Sequence, residues 1–324
     1  MLNQNKIAVL GAGTMGAGMV TTYASGGYEV AVYSRTQKTL DRAAKVIQSS
    51  FDLLVEEDMM TKEAAEAAIK SISYTTSVEE AVQDAWYVAE TVVEVEEVKT
   101  ELYAKLDKIL PEGVIIASDT SAMNIFNFMP AARQPHAVIA HFYAPAYILP
   151  LVEVVRGPET LEWVMEATME LHKKCGKTTI RMEKFISGFI VNRLQSGLGK
   201  EVTFLLEEGY CTPEDIDLAV KTSLMPRGLL LGLIQRMDFT GMNVVVDGYY
   251  NKTYTPTPPY RGVPSYIQKV YDRGDMGVKT GRGFFDYSGQ TYEEVLRHRD
   301  KQLLKSVRLA SEFMADPLET VKKD

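Results

Sequence analysis

Cysteine, histidine and tryptophan are scarce in this chain, and basic charge is in deficit. Among 324 residues the cysteines are Cys175 and Cys211 alone, with no C-x-x-C pair. That excludes a disulfide scaffold and predicts a reducing, cytoplasmic setting. The four histidines, His136, His141, His172 and His298, show no H-E-x-x-H or other ligand spacing, so no metal site is predicted. A formal net charge of −8 argues against nucleic acid or an anionic membrane as the main partner. No apolar run approaches the roughly 20 residues that span a bilayer. The polar opening "MLNQNK" runs straight into a strand pattern, and no secretory leader is predicted from it.

What is present is ordinary globular composition, 46% hydrophobic and 24% charged, in a chain long enough for two domains. Lys6 to Leu10 and Glu29 to Tyr33 are short apolar or β-branched runs of the kind buried in a parallel sheet. Charged helical stretches follow at 37–57 and 61–70. Strand patterns return at "AWYVAETVVE", "GVIIAS", "HAVIAHF" and "LPLVEVV", with helical sequence between the first two. Strands alternating with helices predict a doubly wound α/β sheet. After about residue 183 the pattern becomes helical. "ISGFIVNRLQSGLGKEVTFLLEEG" reads as one long helix, and Thr212 opens another with Glu214 and Asp215 in its first turn. The expected division is 1–183, a nucleotide-binding α/β domain, and 184–324, an α-helical domain for substrate and dimerisation, with a Pro- and Tyr-rich loop at 254–266.

Gly11-Ala12-Gly13-Thr14-Met15-Gly16 matches G-x-G-x-x-G between a strand and a helix, in a βαβ unit of the expected length. The first glycine permits the tight turn and the second lets the backbone approach a pyrophosphate. The third lets the helix lie close on the sheet, its N-terminal N–H groups facing the anion. This context predicts a Rossmann-type dinucleotide site rather than a merely tight turn. At the end of the second strand, where an NAD-binding chain usually carries Asp or Glu, stand Ser34, Arg35 and Thr36. A guanidinium can stack on and bind a 2′-phosphate that a carboxylate would repel, which predicts NADP over NAD.

"ASDTSAMNI" (117–125), "HFYAPAYILPLVE" (141–153), "GFIVNRL" (188–194) and "GVKTGRGFFDY" (277–287) complete an ordered set with the Gly-rich turn. The set resembles the 3-hydroxyacyl-CoA dehydrogenase family from Lys6 to Tyr287. The resemblance implies His141 as catalytic acid–base, Glu153 as its partner carboxylate, and Ser121 and Asn192 as groups that bind the reacting oxygen. It also implies cofactor contacts at Glu94 and Lys99, for which a solvated helix start is the plain alternative. The chemistry asks for the same residue types. An imidazole titrates near neutrality, and a nearby carboxylate fixes its tautomer and favours its cation. The expectation is that His141→Ala and Glu153→Ala both fold and both lose most turnover. On the long helix, Ile190, Leu194, Leu198, Val202 and Leu205 form an apolar stripe. Asn192 lies about 200° from Ile190, with Ser196 and Gly199 beside it leaving room for a ligand.

Where the acyl-CoA enzymes of the family read H-F-F-N-P and S-N-T-S-S, this chain has Ala144 in place of the first Asn and Asp119 in place of the second. "APAYILPLVE" looks more like the branch acting on free hydroxy acids, the gulonate 3-dehydrogenases related to lambda-crystallin and the carnitine dehydrogenases. Segment 52–69 carries Asp52, Glu56, Glu57, Asp58, Glu63 and Glu66 against one Lys62, a poor surface for the phosphates of CoA. Arg227 or Arg236 can supply the cation for a free carboxylate, against the plain alternative of surface arginines with packed stems. A small 3-hydroxy carboxylic acid is thus the expected substrate and a 3-hydroxyacyl-CoA the alternative. A catalytically silent, cofactor-holding structural protein is a rival of another class. An imine-reducing or 6-phosphogluconate-type enzyme would need a helix lysine, and Lys200 falls outside the expected spacing. A homodimer follows from the resemblance alone.

Overall fold

In the computed structural model, residues 2–251, 255–259 and 262–316 are described, and the chain divides into two compact units after Ile190. The first unit runs to Ile190, beyond the expected boundary near 183. Segment 184–190 packs with the first unit, where Phe189 is buried and the Ile190 N–H donates to Glu153.

The first unit is built on one eight-stranded sheet in the order β3-β2-β1-β4-β5-β6-β7-β8. The strands are β1 (Asn3–Leu10), β2 (Glu29–Tyr33), β3 (Ile72–Thr75), β4 (Ala85–Glu90), β5 (Ile115–Ser118), β6 (Ala137–Phe142), β7 (Leu151–Arg156) and β8 (Thr178–Met182). Neighbours run parallel except β6 and β7, which pair antiparallel, so the sheet is mixed rather than wholly parallel. Its sides are covered by α1 (Thr14–Ser25), α2 (Gln37–Glu56), α3 (Lys62–Lys70), α4 (Val78–Val82), α5 (Glu96–Ile109) and α6 (Glu162–Lys174). Central strands are apolar on both faces, as a sheet with helices on each side requires: Ile7 to Leu10 are fully buried, as are Tyr87, Val88 and Ala89. Helix α2 shows the one-sided pattern, burying Leu40, Ala43, Ile47, Phe51 and Leu54 at helical spacing. The edge strands β3 and β8 are only partly buried.

The crossover at β1 and β4 creates the crevice where open α/β sheets place ligands, at the carboxyl ends of the strands. The antiparallel turn of β7 matters for the same reason. It brings the start of β7 to the edge where β4, β5 and β6 end.

The second unit is helical: α7 (Val191–Glu207), α8 (Pro213–Ala219), α9 (Met225–Thr240), α10 (Met242–Asn251), α11 (Ser265–Asp272) and α12 (Tyr292–Ala315). Thr212 caps α8 in a reciprocal capping box with Asp215, and Thr291 does the same for α12 with Glu294. A π-turn at Val220–Leu224 leads into α9, which is broken at Gly232. The helix expected from Ile186 begins at Val191 instead, because Gly188 and Phe189 take positive φ angles of 78° and 47°. The predicted stripe is not the buried face: Leu194 and Leu198 are exposed, whereas Thr203, Phe204 and Leu206 are buried. The expected loop at 254–266 includes Tyr254, Tyr260 and Arg261, which lie outside the described residues. No single helix among the described residues is long and apolar enough to cross a membrane.

Candidate active site

The Gly-rich turn shows three different physical requirements. Gly11 has φ +121°, and a Cβ there would sit 2.4 Å from the Thr91 carbonyl oxygen. A Cβ on Gly16 would lie 1.9 Å from the Gly11 carbonyl oxygen, so the helix can approach the turn only without a side chain. At Gly13, the N-cap of α1, a Cβ would meet nothing within 4 Å. Steric need inside the protein therefore explains Gly11 and Gly16 but not Gly13. Open space above the helix start, next to the N–H groups of Thr14, Met15 and Gly16, fits a pyrophosphate resting on backbone donors. The first helical turn carries no acidic side chain to oppose an anion.

At the end of β2, Ser34 is buried and its N–H bonds the Thr75 carbonyl, while Arg35 is exposed. The Thr36 hydroxyl accepts from Thr39 N as the cap of α2, so that oxygen already has a structural use.

At the ends of β4 and β5 a carboxylate hub lies fully buried. Glu90 accepts from Lys99 Nζ, Tyr103 Oη and Ser118 Oγ, each at 2.6 Å, and from Val92 N at 2.8 Å. Four donors satisfy an anion that burial would otherwise penalise by several kcal/mol. Lys99, 1% exposed, also lies 3.5 Å from Glu94. It is not a solvated helix residue: it bridges the buried Glu90 to Glu94. Glu94 in turn accepts from Thr120 Oγ1 at 2.8 Å and from Ser121 N at 2.7 Å, with Ser121 Oγ at 3.4 Å. The loop that carries Ser121 is held by this chain of bonds.

On β6, His141 is 5% exposed and stands directly opposite Glu153 of β7 in the antiparallel register. His141 Nδ1 and Glu153 Oε2 are 2.9 Å apart. The same carboxylate accepts from Tyr143 Oη at 2.5 Å and, through Oε1, from Ile190 N at 2.9 Å. Phe189 packs on the imidazole with ring centroids 5.1 Å apart. With Nδ1 on the carboxylate, Nε2 is the nitrogen left for proton exchange.

One residue ties the strand ends together. Asp119 accepts from Phe142 N at 2.8 Å and lies 3.2 Å from Thr91 Oγ1. Burial pushes its carboxyl up to about 8, against the lowering effect of those two bonds. Sequence reasoning missed Glu90, Asp119 and Tyr143 as parts of the site. An acidic or hydroxyl side chain closing an apolar strand was the only signal available.

Asn192 is the second residue of α7, in the other unit, half-buried, and Ser196 is exposed. Arg227 is exposed, and its guanidinium bonds Ser223 of the preceding π-turn at 3.1 and 3.2 Å. Arg236 differs, with a buried Nε that has no hydrogen-bond partner. Among the described residues no group of three metal-ligating side chains comes together.

Two family models match the chain: the NAD binding domain of 3-hydroxyacyl-CoA dehydrogenase over residues 6–185, and its C-terminal domain over 188–287. The chain belongs to the 3-hydroxyacyl-CoA dehydrogenase family. It is an NAD(P)-dependent oxidoreductase acting on CH–OH donors. Both branches occur among its relatives. The probable 3-hydroxybutyryl-CoA dehydrogenase of Bacillus subtilis is 32% identical over 88% of this chain and 98% of its own. The lambda-crystallin homolog of Rattus norvegicus is 32% identical over 84% of this chain and 88% of its own. In fold, the chain matches a 5-formyl-3-hydroxy-2-methylpyridine 4-carboxylic acid 5-dehydrogenase with TM-score 0.83 at 24% identity, covering 95% and 99% of the two chains.

Proposed function

We propose that this enzyme is an NADP-preferring 3-hydroxy acid dehydrogenase, equally a 3-oxo acid reductase, with His141 as its acid–base group. The observation that carries this reading is the cross-strand pair of His141 and Glu153, 2.9 Å apart and buried at the carboxyl edge of the sheet. The nicotinamide, when bound, exchanges a hydride with C3 of the substrate. In oxidation Nε2 of His141 takes the hydroxyl proton, while Glu153 keeps Nδ1–H in place and stabilises the imidazolium. In reduction the same nitrogen returns the proton to the developing alkoxide. Ser121 hydrogen-bonds the oxygen on which charge develops. Glu94 contributes by holding the Ser121 loop at its backbone N–H.

One observation supports a free acid over a CoA thioester. Asp52, Glu56, Asp58, Glu63 and Glu66 are all exposed, so the segment stays an acidic surface. The family relationship supports the second reading, an acyl-CoA substrate. Screening 3-oxo acids and 3-oxoacyl-CoAs with NADPH and NADH, followed by loss of nicotinamide absorbance, decides between them. Turnover of the CoA esters alone would overturn the free-acid reading. NADP preference rests on the exposed Arg35 where a carboxylate would otherwise meet the ribose. Arg35→Glu is expected to raise KM for NADPH roughly 10- to 100-fold, the range of one or two charge-assisted bonds, with NADH spared.

We further propose a cytoplasmic homodimer. Two free cysteines suit a reducing compartment. Leu230, Ile234, Phe239 and Val244 on α9 and α10 are left exposed, which suits cover by a second copy.

A further inference from the structure

We propose that Tyr143 is a positioning residue for the acid–base pair, fixing both the imidazole and the carboxylate of the dyad. This rests on the assignment of His141 and Glu153 as the proton-transfer pair.

Two separate contacts carry the inference. The phenol Oη donates to Glu153 Oε2 at 2.5 Å, the same oxygen that faces His141 Nδ1 at 2.9 Å. The phenol ring meets the imidazole edge-on, with centroids 4.6 Å apart and planes at 69°. Tyr143 therefore touches both members of the pair, while lying one residue beyond the end of β6. Glu153 is fully buried as the third residue of β7, and Ile190 N occupies its other oxygen at 2.9 Å. With three donors around it the carboxylate cannot rotate away from the imidazole without breaking a bond.

The shared oxygen has an electronic consequence. A phenol donating to Oε2 draws off part of the charge that Nδ1–H would otherwise meet, so the His–Glu bond is held at moderate strength. Remove the hydroxyl and the same oxygen becomes a stronger acceptor for Nδ1–H. A further titratable group beside the end of β6, Asp119, accepts from Phe142 N rather than from the ring. It leaves the Tyr143 bond to Glu153 untouched.

The test compares Tyr143→Phe, which keeps the ring and loses only the hydroxyl, with the unaltered enzyme. With four histidines in the chain, the downfield imidazole N–H signal of His141 is assignable by its loss in His141→Gln. In Tyr143→Phe that signal is expected to move further downfield, and kcat is expected to fall roughly three- to tenfold at constant KM, the size of one hydrogen bond. Tyr143→Leu, which loses the ring contact as well, is expected to fall further. An Nδ1–H signal that stays in place in Tyr143→Phe overturns the proposal, as does a loss confined to KM. The spectroscopic measurement needs no substrate, so a wrong substrate assignment leaves it decisive.

Discussion

The two units of this protein differ in where they keep their polar and apolar groups. The first buries Glu90, Lys99, His141 and Glu153, with Asp119 half-buried beside them, and bonds each of them. The second buries few side chains among its described residues, chiefly Thr203, Phe204, Leu206, Val270, Asp300 and Leu304. It exposes Ile234 at 75%, Phe239 at 66% and Tyr249 at 82%. A buried ionisable group is costly unless held, so its presence marks a place where chemistry needs it. An exposed apolar face is costly in the opposite way and marks a place where another surface is needed. The contrast puts most of the buried ionisable groups in the first unit and the exposed apolar face on which the proposed homodimer rests in the second.

The sharpest way to break the first half of that contrast is at the dyad. His141→Ala is expected to lose between about 100- and 10,000-fold in kcat, the usual contribution of a positioned acid–base group, while keeping its fold. Glu153→Ala departs from the sequence-based expectation of normal folding. It strips acceptors from His141, Tyr143 and Ile190 in a fully buried place, and is expected to cost about 3–5 kcal/mol of stability as well as turnover. Denaturant unfolding of both variants beside steady-state kinetics checks this. Equal stability of the two variants would show that the carboxylate is less enclosed than described.

A second effect tests whether the first unit gives up stability to hold its polar groups. The Asp119 carboxyl is raised from its ordinary 3.8 to about 8, mainly by burial. Between those values the folded protein keeps a proton that the unfolded chain has released, so stability falls as pH rises through this window and levels off above it. The slope approaches about 1.4 kcal/mol per pH unit at its steepest. Asp119→Asn keeps an acceptor for Phe142 N, removes the titration and is expected to flatten the slope. Parallel stability curves for the two proteins across that window would contradict it.

How much of this was readable beforehand depended on burial. The central strands β1, β2, β4, β5, β6 and β7 stand out in the sequence because continuous apolar runs are what a doubly covered sheet demands. Strands β3 and β8 were missed, and they are the two edges of the sheet. "ISYT" and "TTIRM" bury only part of their surface, so no apolar run announces them. The His141 and Glu153 pairing was readable as adjacent strands, but its direct register was not, since the intervening loop does not fix it by length. The start of α7 was misread because a positive φ at Phe189, a non-glycine residue, has no sequence signature.

The smallest expected change sharpens the second half of the contrast. Ile139, fully buried on β6, and Ile234, 75% exposed on α9, are the same side chain in opposite surroundings. Ile139→Ala leaves a cavity and is expected to cost about 2–5 kcal/mol. Ile234→Glu removes no packing within the described chain and is expected to shift its intrinsic stability by less than about 0.5 kcal/mol. If a second copy covers that face, the same substitution buries a carboxylate at the interface. Light scattering over a dilution series should then show dissociation at concentrations where the parent remains paired. A parent that is monomeric throughout, or an Ile234→Glu variant that dimerises unchanged, would mean that α9 meets no second copy, and the exposed face would lose its assigned purpose.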